Sequence, residues 1–294
     1  MITINIISDL VELSVKQNKK ISDIMIEQQM EEQQVTKEDL MKRMEDVLQV
    51  MQQSSVNGCQ KDVESNSGLT KADAYKMKEF ASSEKTLFGP LVGSAITKAL
   101  AVSGYNAAMK KVVAAPTAGA SGIIPACIIS LMEERKVSKE DAIKSLFCAS
   151  GIGIVIEKNA TLAGAQGGCQ AECGSASAMA AAAIVELCGG TPQMCSDASA
   201  IALKNVLGLV CDPVAGLVEV PCIKRNVLGT VNAFAAAQMA LAGIESKIPA
   251  DEVIIAMKQI GDSMPSCLKE TALGGLAITP TAKEIEKRIF GNQK

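Results

Sequence analysis

GAQGGCQAECGSASAMAAAAIVEL, residues 164–187, joins a Gly-Gly-Cys break to a run of alanines with hardly a polar group in it. After the break the small residues predict a helix near 172–188, and its neighbours can approach closely because little side-chain bulk holds them apart. The chain from residue 90 onward has the same character, rich in Ala and Gly, nearly free of aromatics and without a single Trp. Such a composition predicts an all-α, mainly helical body with a few short irregular or strand-like segments.

Working outward, helix signals dominate. Thr36-Lys37-Glu38-Asp39 resembles a capping box, and Leu40, Met44, Val47, Leu48 and Met51 follow at spacings of three and four, one face of an amphipathic helix. Residues 70–73 and 138–141 repeat that start signal. Further helices are predicted near 89–110, 120–134, 139–157, 193–208, 223–243 and 249–262. Residues 112–115 and 218–220 are the better strand candidates, both short. No fixed-period repeat is evident, and 1–294 reads as a single domain. Within it segment 1–58 is charged and rich in Gln and Met, and it ends in the turn Val56-Asn57-Gly58; it predicts an amphipathic helical N-terminal arm. The Met/Leu stripe of this arm packs against the main body in the plainer reading and docks a partner in the other.

At 294 residues and 48% apolar composition there is ample material for a core. A net charge of -3 without any basic block argues against nucleic acid or an anionic membrane, and leaves a small molecule or another protein as partner. Residues 1–13, MITINIISDLVEL, carry Asp9 and Glu12 and no basic start, unlike a secretory signal. The Ala-rich run 175–187 is too short to span a bilayer and holds Glu186. The expected setting is cytoplasmic, where ten cysteines make an odd disulfide framework because thiols are kept reduced. Metal ligation or plain burial must account for them. The absence of histidine excludes mixed Cys/His zinc sites, His acid–base pairs and Ser-His-Asp triads built from this chain alone. Soft thiolates remain, and these suit iron-sulfur chemistry.

Three of the cysteines sit where regular structure breaks. Cys169 follows Gly167-Gly168, while Cys211-Asp212-Pro213 and Pro221-Cys222 bracket a loop whose two prolines resist helix. They read as three thiolate ligands of one metal cluster, a missing fourth ligand leaving one iron open. At a predicted helix start Cys169 is favoured as thiolate. Cys173 shares its helix face and either pairs with Cys169 or, in the favoured reading, is a small buried side chain, as are Cys127, Cys148, Cys188, Cys195 and Cys267 in apolar surroundings; Cys59 follows a loop and stays uncommitted. Residues 116–125, PTAGASGIIP, join a strand candidate to an apolar helix, and their N–H groups can seat a carboxylate or phosphate. The pattern is neither a P-loop nor a dinucleotide fingerprint, and a tight turn between packed elements is an equal reading. Lys224, Arg225 and Lys269 are either solvated charges or positive potential near an anion.

Together PTAGASGIIPA (116–126), GAQGGCQAECGSASAMAAAA (164–183), CDPVAGLVEVPCIKRN (211–226) and MPSCLKETALGGLA (264–277) resemble the iron-sulfur-dependent L-serine dehydratases, specifically the alpha subunit of the two-subunit type. The resemblance covers nearly the whole chain. It implies a mainly helical catalytic domain, a 4Fe-4S cluster held by Cys169, Cys211 and Cys222, and conversion of L-serine to pyruvate and ammonia. It also implies that Thr117, Gly119, Ser121 and Gly122 seat the substrate carboxylate. Arg225 is a further candidate for the anion and Lys269 for the unidentified base, a surface or core role being equally open for either. Single-chain members carry a second, His-containing domain that these residues lack, so a His-containing beta subunit and a hetero-oligomer are expected. Some single-chain members end in a cysteine that reaches the cluster, whereas this sequence ends Phe290-Gly291-Asn292-Gln293-Lys294.

Other readings differ in their demands. A pyridoxal phosphate enzyme needs a Schiff-base lysine beside a phosphate cradle, and neither Lys158 nor Lys269 has that context. A cluster-dependent L-cysteine desulfidase and a non-catalytic iron-sulfur regulatory subunit remain as alternatives.

Overall fold

Periodicity turns into helix almost everywhere in the computed structural model, which describes residues 4–83 and 85–291. In chain order the helices are α1 (Ile7–Gln17), α2 (Ile21–Gln33), α3 (Lys37–Asn57), α4 (Asp73–Ala81), α5 (Pro90–Ala107), α6 (Ile123–Arg135), α7 (Lys139–Asn159) and the single turn α8 (Gly164–Gly167). A π-helical turn, Gln170–Gly174, then runs into α9 (Ser175–Leu187), followed by α10 (Pro192–Lys204), α11 (Cys222–Leu241), α12 (Ala250–Ser263) and α13 (Pro280–Phe290). Asn292, Gln293 and Lys294, the end that lacks a tail cysteine, lie outside the described residues.

Two of the three expected start signals cap their helices. The Thr36 hydroxyl accepts from the Asp39 N–H at 3.1 Å while the Asp39 carboxylate accepts from the Thr36 N–H at 3.3 Å, and Ser138 Oγ accepts from the Asp141 N–H at 3.0 Å. The third does not: α4 begins after Ala72, because Thr70 is held in a turn in which its N–H donates to Ser65 Oγ at 3.1 Å and its carbonyl accepts from the Ser65 N–H at 2.9 Å. Neither strand candidate is a strand. Residues 112–115 have no regular structure and form no bridge among the described residues, and 218–220 form turns; each runs into a proline, Pro116 or Pro221, that lacks a ladder donor. Among the described residues β structure is limited to two isolated bridges, Glu64 with Lys71 and Cys211 with Lys269.

Helix α9 is the centre of the packing. It lies against α6, α7, α10 and α11, and all its residues from 175 to 186 are buried, as a helix apolar on every side must be. Segment 1–58 is three helices. Helix α1 lies against α10 and α12, α2 against α7, and α3 against α5, α6 and α7. Ile7, Leu10, Ile21 and Ile24 are fully buried, and the Asp251 carboxylate accepts from the Ile7 N–H at 2.6 Å, fastening α1 to α12. No described helix is long and apolar enough to cross a membrane.

Candidate functional site

Three irregular segments converge beside the start of α9: the loop before α6, the break at 164–174, and the loop between α10 and α11. In the first, tight turns use up the later N–H groups. Ala120 donates to both the carbonyl and the hydroxyl of Thr117 at 3.3 Å, Ser121 donates to the Ala118 carbonyl at 3.3 Å, and Ile123 donates to the Ala120 carbonyl at 3.2 Å. The N–H groups of Thr117, Ala118 and Gly119 take no part in this bonding among the described residues. Ser121 is fully buried and its hydroxyl has no partner among the described residues. Gly122 donates to Asn226 Oδ1 at 2.9 Å, and Asn226 Nδ2 donates back to the Gly119 carbonyl at 2.7 Å.

The cysteines enter from the other two segments. Gly168, just before Cys169, has φ of 78°, and a β-carbon there would lie 2.9 Å from the Leu209 carbonyl oxygen, so glycine is required on both counts. Gln170 pins the break by donating to the carbonyls of Gly167 (2.9 Å) and Met257 (3.0 Å) and accepting from the Gly208 N–H at 2.9 Å. Cys211 is held by its backbone to the segment that carries Lys269, donating to the Leu268 carbonyl at 2.9 Å and accepting from the Glu270 N–H at 2.7 Å. Cys222 is the first residue of α11, and its carbonyl accepts from Asn226 Nδ2 at 2.9 Å. Arg225 donates to the Val210 carbonyl at 2.7 Å and to Asp212 Oδ1 at 2.9 Å, and it also approaches the Cys169 thiol. Lys224 instead pairs with Asp73 at 2.6 Å.

The three thiols share one electrostatic neighbourhood. Burial pushes Cys222 up to about 12, with the charges of Cys169 and Glu172 adding to it, and it pushes Cys211 higher still, with Glu172, Cys169 and Cys222 contributing. Cys169 is pulled down, by a hydrogen bond with Cys173 first and by Arg225 after it, against the burial. The direction is the one its helix-start position predicts, but the causes are its neighbours. Among the described residues no three His, Cys, Asp or Glu side chains close around a single metal ion. An iron-sulfur cluster asks for something different, one soft thiolate on each of several irons and backbone without side chains around it. The donor set here fits. A β-carbon at Gly164 would sit 3.3 Å from Cys211 Sγ, so the glycine leaves room beside that sulfur, and Cys169 and Cys222 are near enough to be felt by it.

Of the remaining cysteines, Cys127, Cys148, Cys173 and Cys195 are buried as expected, whereas Cys188 is exposed just past the end of α9 and Cys267 is half-buried in a 3₁₀ turn. Cys59 is half-buried with its thiol 3.6 Å from the Ala74 carbonyl. Three polar residues of the site escape a reading by motif. Asn226 stands one turn beyond Cys222 and clamps the 116–122 loop to it. Asp212 is buried and accepts from the Leu276 N–H at 2.8 Å, tying in the Gly274-Gly275 segment. Glu172, between Cys169 and Cys173, reaches the Thr117 hydroxyl, and burial raises its pKa, with Thr117 opposing and Glu270 adding. Its position between two cysteines was the available signal.

A family described as serine dehydratase alpha chain matches residues 16–277. The chain is 52% identical over 285 residues to a probable L-serine dehydratase, alpha chain, of Bacillus subtilis, covering 97% of this chain and 95% of that one. It is 43% identical over 284 residues to the L-serine dehydratase, alpha chain, of Peptoniphilus asaccharolyticus, covering 97% of each. An L-serine dehydratase of Streptomyces coelicolor is 47% identical over 182 residues, which are 61% of this chain and 40% of that longer protein.

Proposed function

The chain belongs to the serine dehydratase alpha-chain family, and we propose that it is the cluster-bearing half of a two-subunit, cytoplasmic L-serine dehydratase, a lyase that turns L-serine into pyruvate and ammonia. The observation that carries this reading is the meeting of three soft thiols with a loop of uncommitted N–H groups. Cys169, Cys211 and Cys222 would hold a 4Fe-4S cluster, which, with one iron free of protein thiolate, supplies a Lewis acid for the serine hydroxyl when bound.

The chain's own residues do the positioning. The N–H groups of 117–119 and the hydroxyls of Thr117 and Ser121 seat the α-carboxylate, with Gly119 leaving the backbone accessible and Gly122, buried with its N–H on Asn226, closing the turn behind it. Asn226 fixes that seat to the Cys222 helix, so carboxylate and hydroxyl of one small substrate are held at a set separation. Arg225 keeps positive potential against Cys169. Removal of the Cα proton and departure of the Cβ hydroxyl leave 2-aminoacrylate, which tautomerises to an imine and hydrolyses to pyruvate and ammonia. We assign the base to a His-containing partner subunit, Lys269 being the candidate on this chain. Leu273, Leu276 and Ile278, 70%, 42% and 54% exposed in the segment that follows the Cys211 pairing, give such a partner an apolar landing beside the site.

The two-subunit preparation, assayed without oxygen, is expected to form pyruvate and ammonia from L-serine. Faster release of sulfide from L-cysteine than of ammonia from L-serine would instead favour the desulfidase.

A further inference from the structure

We propose that Glu172 receives the α-ammonium group of the substrate and thereby selects an amino acid over the corresponding hydroxy acid. The inference rests on the serine reading of the site and adds the recognition element that reading leaves open: a seat for the carboxylate and a Lewis acid for the hydroxyl do not by themselves distinguish serine from glycerate.

The geometry places the Glu172 carboxylate between two glycines of separate segments, Gly119 in the loop before α6 and Gly164 at the start of α8. A β-carbon at Gly119 would lie 3.3 Å from Oε1, and one at Gly164 would lie 2.7 Å from Oε2 and 3.3 Å from Cys211 Sγ. The carboxylate therefore stands between the loop with the uncommitted N–H groups and a thiol of the metal centre, with no side chain on either glycine to cover it. The Thr117 hydroxyl reaches it. None of the ion pairs among the described residues includes Glu172; the guanidinium of Arg225, which approaches Cys169, is paired with Asp212.

A carboxylate withdrawn from water without a cation is costly, and a cation that arrives with the substrate offsets that cost. An ammonium group supplies three donors at once, which Glu172 and the Thr117 hydroxyl can share. The fully buried, unpartnered hydroxyl of Ser121 lies in the same loop, a second polar group left open for a ligand. With carboxylate and ammonium both held, the two remaining substituents of Cα, the hydroxymethyl group and the hydrogen, are fixed in direction.

The test compares L-serine with L-glycerate, which keeps the carboxylate and β-hydroxyl and replaces the ammonium by hydroxyl. Binding is read from the change each causes in the visible spectrum of the cluster-loaded two-subunit enzyme. A charge-assisted hydrogen bond that only serine makes should give the wild type a preference for serine of about tenfold or more. Glu172→Gln should bring the two affinities together while iron and sulfide content stay unchanged, and Glu172→Asp should fall between. A wild type that responds to serine and a Glu172→Gln enzyme that keeps the full preference would overturn this inference alone. A wild type indifferent to serine would overturn the serine reading and this inference with it. Should Glu172→Gln fail to load iron, Glu172→Asp decides: reduced preference supports the assignment and undiminished preference overturns it.

Discussion

Cys169→Ala, Cys211→Ala and Cys222→Ala are each expected to abolish the proposed four-iron cluster and to lower serine turnover by about 10³-fold or more, since a Lewis acid supplies several kcal/mol and each 1.4 is tenfold in rate. The three residues come from separate structural devices: the Gly168 break, the backbone pairing of Cys211 with the 268–270 segment, and the first turn of α11. Loss of one sulfur cannot be made good by a shift of the others, because each sits on a different, separately anchored segment. Cys148→Ala is the control. That thiol is buried against Cys195 and Glu186, and its removal should leave iron and sulfide content untouched. Iron and sulfide analysis after anaerobic reconstitution reads the result, and full occupancy in any of the first three variants would remove that residue from the ligand set.

The second large effect concerns the chain by itself. Loaded with cluster but without a partner, it should turn over serine about 10²–10⁴-fold more slowly than the two-subunit enzyme, the usual contribution of a positioned general base. The reason is that none of its 294 residues is histidine, the side chain whose ordinary pKa lies nearest neutrality. Lys269 is tied through its backbone to Cys211 and would have to act in its place. An anaerobic assay of the isolated, loaded chain checks this. Turnover equal to that of the two-subunit preparation would place the base on this chain.

What was legible in the sequence follows from how local each signal is. The helices near 89–110, 139–157 and 223–243 are readable because their runs of helix-compatible apolar residues lie within the segment itself, and the second also carries its own cap, Ser138. The Ala-rich run announced a buried helix, and α9 is one. Residues 112–115 and 218–220 have strand-like composition, but a strand needs a neighbour, and none lies beside them. The start signal at 70–73 failed for a similar reason, since the partner of Thr70 is Ser65 and the two close a turn before α4. Cys188 looked buried by its surroundings and is exposed because α9 ends one residue before it. Helix α13 was missed: its cap, Thr279, sits behind a short 3₁₀ turn. In the site, glycines and cysteines could be found by eye, whereas Asn226, Asp212 and Glu172 acquire their roles from residues 50 or more positions away, contacts that no local pattern contains.

The most direct test of the account is the anaerobic absorption spectrum of the cluster-loaded protein, recorded with and without L-serine, with L-alanine as the analogue that lacks the hydroxyl. The account predicts iron-sulfur bands that shift saturably with L-serine and do not shift with L-alanine, because only serine brings a hydroxyl to an iron that no protein thiolate occupies. A protein that takes up the cluster and whose bands stay unchanged at saturating L-serine would contradict it.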